Sequence, residues 1–152
     1  SRKSKNNNEL IELSDKKLLK DFNQKNNTYI SIIKTDYSNS EFMKTLSIRA
    51  SDKENGPRCK LCYTIRMKEA YFYAKSHNFD YFSTVMTMSR QKDQLVINQI
   101  GRVLEKQFGG VKFLPHNFKK KGGQERRDEI VTSLKMYDQN YCGCIYSLKN
   151  KK

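Results

Sequence analysis

Four cysteines, the only thiols of the chain, fall in two close pairs: Cys59 and Cys62 in "RCKLCY", and Cys142 and Cys144 in "NYCGCIYS". Two thiolates spaced C-x-x-C can grip one metal centre or close a disulfide. "RCKLCY" opens a predicted helix, where backbone N–H groups and the dipole favour thiolate, and Arg58 and Lys60 add charge of the same sign. The spacing therefore predicts a lowered thiol pKa. C-G-C is tighter. One intervening residue makes a disulfide small and strained, hence labile, and Gly143 relieves the crowding. That pattern favours redox or metal chemistry over a structural staple. All four together also suit a structural zinc site, although such sites normally rest on two Cys knuckles in a small fold. Of the two histidines, His77 sits where a helix ends and is read as a cap or a surface residue rather than a ligand. His116 follows a predicted strand and is a candidate for lining the site.

The elements that must position these groups alternate. A helix is predicted in "ELIELSDKKLLKDFNQ", a strand over Thr28–Lys34, a short helix in "NSEFMKTLSI" and a loop in "DKENGPR". A helix in "CYTIRMKEAYFYAKS" carries Tyr63, Met67, Ala70 and Ala74 on one stripe. A buried strand is expected over Asp80–Thr87. The next helix, in "RQKDQLVINQIGRVLEKQF", presents Val96, Ile100, Val103, Leu104 and Phe108, and Gly109-Gly110 ends it. "VKFL" reads as a strand, "FKKKGGQERR" as a basic loop and "RDEIVTSLKMY" as a last helix. Strands alternating with helices imply a mainly parallel α/β sheet, with sites at the carboxyl ends of its strands. Cys62 and Cys142 are expected to converge there. Residues 1–27 read as a basic, Asn-rich segment with a helix, and residues 28–150 as a single α/β domain.

Thirty Lys and Arg against 16 Asp and Glu give a net charge of +14 over 152 residues. Such a field attracts polyanions, nucleic acid above all, although a Lys- and Asn-rich composition from an AT-rich genome gives the same count. No apolar run approaches the roughly 20 residues of a membrane span, and "SRKSKNNNELIE" lacks the apolar core of a secretory signal. The expectation is a cytoplasmic protein without a membrane partner, its thiols kept reduced.

The segments "RCKLCYTIRMKEAYFYAKSHNFDYFSTVMTMSRQK", "FLPHNFKKKGG" and "YDQNYCGCIYS" resemble the QueH-type epoxyqueuosine reductases. The shared pattern is Arg-Cys-x-x-Cys-Tyr with an Arg four residues after the second Cys (Arg66), a strand followed by Ser and Lys, a basic loop, and a closing Tyr-Cys-Gly-Cys. The resemblance implies a three-layer, nucleotide-hydrolase-like (HUP/Rossmann-like) α/β fold, here N-terminally incomplete. It implies reduction of epoxyqueuosine to queuosine at the wobble position of tRNA, with an electron donor of unspecified identity. It implies a 4Fe-4S cluster with Cys59 and Cys62 as ligands, and Cys142 and Cys144 as a redox-active pair. The family's N-terminal Cys-Cys pair has no counterpart here, so two of the four expected ligands are missing from this chain. Asp138 stands where the family has Arg, and Arg127-Asp128 where it has Arg-Ser. Given a tRNA substrate, Arg66, Lys92, Lys119, Lys120, Lys121, Arg126 and Arg127 are the candidate RNA contacts. Two other readings stand beside this one: a basic RNA-binding module with a structural zinc site, and a cluster-free thiol oxidoreductase.

Overall fold

Gly56-Pro57 sets the first boundary that matters to the cysteines. Proline at the first helical position has its φ already helical and no N–H to satisfy. The Asp52 carboxylate accepts the next N–H, that of Arg58, at 2.9 Å. The helix therefore runs Pro57–Ser76 and takes in Cys59 as well as Cys62. It begins inside the segment read as a loop.

The computed structural model describes residues 16–33, 39–136, 138, 141, 142 and 144–149, with backbone alone at 39, 148 and 149. The chain divides into two compact units, Ser1–Asn39 and Ser40–Lys152. In the first, residues 16–26 form helix α1, and the start of the expected helix lies outside the described residues. The strand expected over Thr28–Lys34 is corrected: residues 28–33 form no strand, and Lys34 lies outside the described residues. Asn23 explains part of this. Its side chain takes the Ile30 N–H at 3.0 Å and donates to the Ile30 carbonyl at 2.7 Å. Those are the groups a ladder would need, and a β-branched run becomes a strand only against a partner.

After α2 (Asn39–Ser47), whose first residue is the last of the first unit, the second unit contains α3 (Pro57–Ser76), β1 (Tyr81–Phe82), a 3-10 turn (Val85–Met88), α4 (Gln94–Phe108), β2 (Lys112–Phe113), α5 (Gly123–Ser133) and α6 (Ile145–Lys149). β1 and β2 pair in parallel, Tyr81 against Lys112 and Phe82 against Phe113. With α4 between them they make a βαβ unit. Among the described residues the chain is thus α/β but helix-dominated, with a two-stranded parallel sheet. The strand expected over Asp80–Thr87 shortens because the Thr84 hydroxyl accepts the Met86 N–H at 3.1 Å and turns the chain into the 3-10 helix.

The core lies where α3 and α4 meet the two strands. Tyr63, Met67, Tyr71 and Ala74 form the buried stripe of α3; Tyr71 occupies the place expected for Ala70, which is exposed. On α4 the buried residues are Ile97, Gly101 and Leu104, with Val96, Ile100 and Phe108 partly buried against them. Val103 is exposed, one step off the face. Asp93 caps the start of α4 by accepting the Leu95 N–H at 2.9 Å, and Gly109, at φ 59°, ends it as expected. The Tyr71 hydroxyl donates to the Gly109 carbonyl and Lys75 Nζ to that of Phe108 at 2.8 Å, tying the end of α3 to the end of α4. α5 begins and ends four residues before the helix expected there, and α6 was not expected at all.

Gly101 gives this packing a test. A Cβ there would lie 2.5 Å from the Phe113 ring. Gly→Ala in an open helix stabilises by about 1 kcal/mol, whereas overpacking a core costs about 1–3 kcal/mol. Gly101→Ala is therefore expected to lower the denaturant midpoint, and a raised midpoint would contradict the packing described.

Candidate functional site

Both cysteine pairs face one cavity. Cys59 sits in the first turn of α3 and is buried; its Sγ accepts the Asn55 N–H at 3.3 Å. Asn55 makes this possible by adopting the left-handed region at φ 61°, which asparagine tolerates. Cys62, one turn on, is half-buried, and the Arg66 charge from the turn after that favours its thiolate. Arg66 also lies over the Phe42 ring of α2, 4.8 Å from its centroid.

Cys142 and Cys144 come in on the segment leading to α6. The Cys142 N–H donates to Ser147 Oγ at 3.0 Å, and the Ser147 N–H donates to Cys144 Sγ at 3.4 Å. Ser147 thus ties both cysteines to the first turn of α6. All four cysteines are free thiols here.

Arg58 joins the two halves. It is 3% exposed, and its Nη1 donates to the carbonyls of Ala50 (2.9 Å), Arg49 (3.4 Å) and Asp52. Its guanidinium carbon lies 4.4 Å from the centroid of the Tyr146 ring, two residues after Cys144. The sequence pattern pointed to a different task for Arg58, that of supporting thiolate. The signal available for its structural role was its place beside Gly56-Pro57.

The cavity has a volume of about 220 Å³, and all four cysteines line it. Arg58, Arg66 and Lys92 are its charged residues, and Leu46, Tyr63 and Met86 complete its wall. No carboxylate takes part among the described residues. Arg58 Nε is buried without a hydrogen-bond partner among the described residues. A buried donor of this kind calls for an acceptor. Beyond the carboxyl end of β1, the 3-10 turn supplies Met86 and the loop after it Lys92. The one after β2 braces it: Lys119 Nζ donates to the Lys92 carbonyl at 2.6 Å. His116 is not in the cavity wall; it bonds Ser83 Oγ (2.6 Å) and Thr87 Oγ1 (2.8 Å) and stacks on Phe118. His77 is the C-cap of α3, as expected.

Thiol acidity runs against the expectation from the helix terminus. Burial pushes the Cys62 thiol above its ordinary value, with Arg66 opposing. Burial likewise pushes Cys142 up, with Lys92 opposing. Tyr63, beside the same sulfurs, is raised by its burial. Desolvation disfavours each charged form and outweighs the cations here. No three of His, Cys, Asp and Glu come together as a metal site among the described residues.

The other candidate cations are scattered. Lys120 and Lys121 are exposed on the loop after β2. Arg126 pairs with Glu129 at 3.0 Å. Arg127 is engaged by Asp128 at 2.9 Å and by Asp138 through both guanidinium nitrogens, one of these bonds at 3.0 Å.

Comparisons with known proteins agree with the resemblance drawn from the sequence. A family model described as "Epoxyqueuosine reductase QueH" matches residues 7–150. The epoxyqueuosine reductase QueH of Staphylococcus aureus is 33% identical over 131 residues, 85% of this chain and 54% of that protein. That of Streptococcus pyogenes serotype M1 is 32% identical over 129 residues, 85% of this chain and 50% of that protein. That of Thermotoga maritima is 31% identical over 120 residues, 77% of this chain and 62% of that protein. The chain spans about half the length of the first two of these relatives.

The cavity electrostatics predict one mutant directly. Lys92→Met removes a charge that favours the Cys142 thiolate, so the thiol pKa rises and the thiolate fraction at neutral pH falls. Alkylation of Cys142 at pH 7.5 is expected to slow by about two- to threefold, an effect sized for a partly screened charge. An unchanged or faster rate would show that Lys92 does not act on this sulfur.

Proposed function

The chain belongs to the epoxyqueuosine reductase QueH family, and on that premise we propose that it serves the reduction of epoxyqueuosine to queuosine at the wobble position of tRNA, in the cytoplasm. The observation that carries this reading is the single cavity onto which both thiol pairs open. Removing the epoxide oxygen as water takes two electrons and two protons. Two thiols closing to a disulfide release two electrons and two protons, so Cys142 and Cys144 balance the reaction, and an external donor then restores them.

Cys59 and Cys62 are proposed as ligands of a 4Fe-4S centre. The site suits one on two grounds: the thiols are soft donors, and the buried Arg58 Nε is a donor awaiting an acceptor such as a sulfur. A further pair of ligands must come from outside the described residues. Bound there, the centre would supply electrons singly. The cavity residues do the rest. Arg66 favours the Cys62 thiolate, Tyr63 and Leu46 exclude water, and Lys92 offsets negative charge near Cys142. Exposed Lys120 and Lys121, with Lys119 behind them, are proposed to meet RNA phosphates, with the modified base turned out toward the thiols. Arg126 and Arg127 contribute less, because acidic neighbours already engage them. For the whole protein we propose the three-layer, HUP-like fold, with β1–α4–β2 as one part of its sheet.

The test uses the full-length protein, reconstituted anaerobically with iron and sulfide, with nucleoside mass spectrometry of the tRNA. Cys142→Ser is expected to keep the brown chromophore and lose turnover; Cys59→Ser is expected to lose both. A colourless, zinc-loaded protein that binds tRNA without reducing it would instead support the zinc module. Reduction of disulfides by Cys142 and Cys144 without metal would support the thiol oxidoreductase. Binding to tRNA is expected to weaken with salt. Lys120→Glu with Lys121→Glu should flatten the log–log slope by about 0.9 for each phosphate no longer neutralised. An unchanged slope would remove these lysines from the interface.

A further inference from the structure

The segment that carries Cys142 and Cys144 is anchored at both ends by arginines, and only one anchor belongs to the cavity. On the C-terminal side, Tyr146 lies under buried Arg58 and Ser147 accepts the Cys142 N–H. On the N-terminal side the anchor is a chain of alternating charges. Arg90 Nη2 donates to Asp128 Oδ2 at 2.6 Å. Arg127 Nη1 donates to Asp128 Oδ1 at 2.9 Å, and Arg127 grips Asp138 with both nitrogens. Arg90 also reaches Gln124 Oε1 at 3.0 Å, and Gln124 donates to the Met88 carbonyl at 2.7 Å.

Three separate pieces of chain meet in this chain of charges. Arg90 lies just after the 3-10 turn and two residues from Lys92 of the cavity wall. Asp128 and Arg127 lie on α5. Asp138 stands four residues before Cys142. The charges cancel, two cations against two anions, so the cluster is not a phosphate-binding patch. Arg127 holds both acids well below the usual carboxylate range, so they stay ionised throughout the neutral range.

We propose that Arg90, Asp128, Arg127 and Asp138 form a clasp that holds the Cys142–Cys144 segment against the cavity, with Arg127 and Asp138 as positioning residues for the two thiols. Side-chain exposures of 28% for Arg127 and 52% for Asp138 make each bond weak alone. The effect of the clasp comes from joining elements distant in sequence, and from bidentate geometry that fixes the angle of approach. The contrast is Arg126 with Glu129, a similar pair that spans only one turn of α5 and fastens nothing to anything else. The clasp deepens the reductase reading by saying what presents the working thiols, but the thiols' accessibility can be measured without any turnover.

The experiment is alkylation of the reduced protein with iodoacetamide, resolved cysteine by cysteine by mass spectrometry. Asp138→Asn and Arg127→Gln are each expected to speed Cys142 and Cys144 by about two- to fivefold, the opening that loss of exposed ion pairs supports. Cys59 and Cys62 line the same cavity, so the control for general loosening is the denaturant midpoint, which should stay unchanged. Asp138→Glu should restore the slow rates, and Arg126→Gln should leave all four unchanged. The proposal is overturned if Cys142 and Cys144 do not respond to either variant. It is overturned equally if the denaturant midpoint falls along with the faster alkylation, since that reports general loosening. Turnover lost in Asp138→Asn with unchanged alkylation would refute the clasp and leave the reductase reading intact.

Discussion

A buried guanidinium cannot be left without partners: stranding its charge costs several kcal/mol, and that constraint organises this molecule. Arg58 is 3% exposed. Its Nη1 is met by the carbonyls of the turn between α2 and α3 and its face by Tyr146, while Nε has no partner among the described residues. Satisfying one side chain therefore fixes the turn that starts α3, the position of Cys59 next to it, and the approach of the segment that ends in Tyr146. Cysteines 80 positions apart in sequence, Cys62 and Cys142, share a cavity as a consequence. The βαβ unit supplies the floor on which this rests, with Tyr71 and Lys75 locking α3 to the end of α4.

The same burial shapes the chemistry. Thiols in a partly desolvated cavity resist ionisation, and the cations on its wall reduce the penalty without cancelling it. Such thiols are poor nucleophiles toward casual reagents and are suited to a partner that brings its own positive charge. A metal centre does so, because binding displaces the thiol proton. Arg58, Arg66 and Lys92, with no carboxylate among the described lining residues, make the cavity wall positive.

Much of the site was legible in sequence because its signals are local. Paired cysteines, Gly-Pro before a helix, Gly109-Gly110 after one and a basic loop are each written in a few adjacent residues. What was missed depends on tertiary contact. Tyr71 takes the buried place of Ala70 because the stripe follows the α4 contact rather than the smallest side chains. The strand at residues 28–33 fails in part because Asn23 takes the ladder groups of Ile30. The lowered thiol pKa read from a helix terminus gives way to burial, which no spacing pattern reports. Arg127 and Asp138 are plain in the sequence as charges, but nothing in it says that they meet. Asp128 and Asp138 come together around that one arginine.

The central claim is that the two cysteine pairs open onto one cavity, and cross-linking tests it most directly. The reduced protein is treated with a thiol-specific bifunctional reagent spanning only a few ångströms, then digested and mapped by mass spectrometry. The geometry predicts links that join Cys59 or Cys62 to Cys142 or Cys144. Links confined to Cys59–Cys62 and Cys142–Cys144, with none between the pairs, would contradict it.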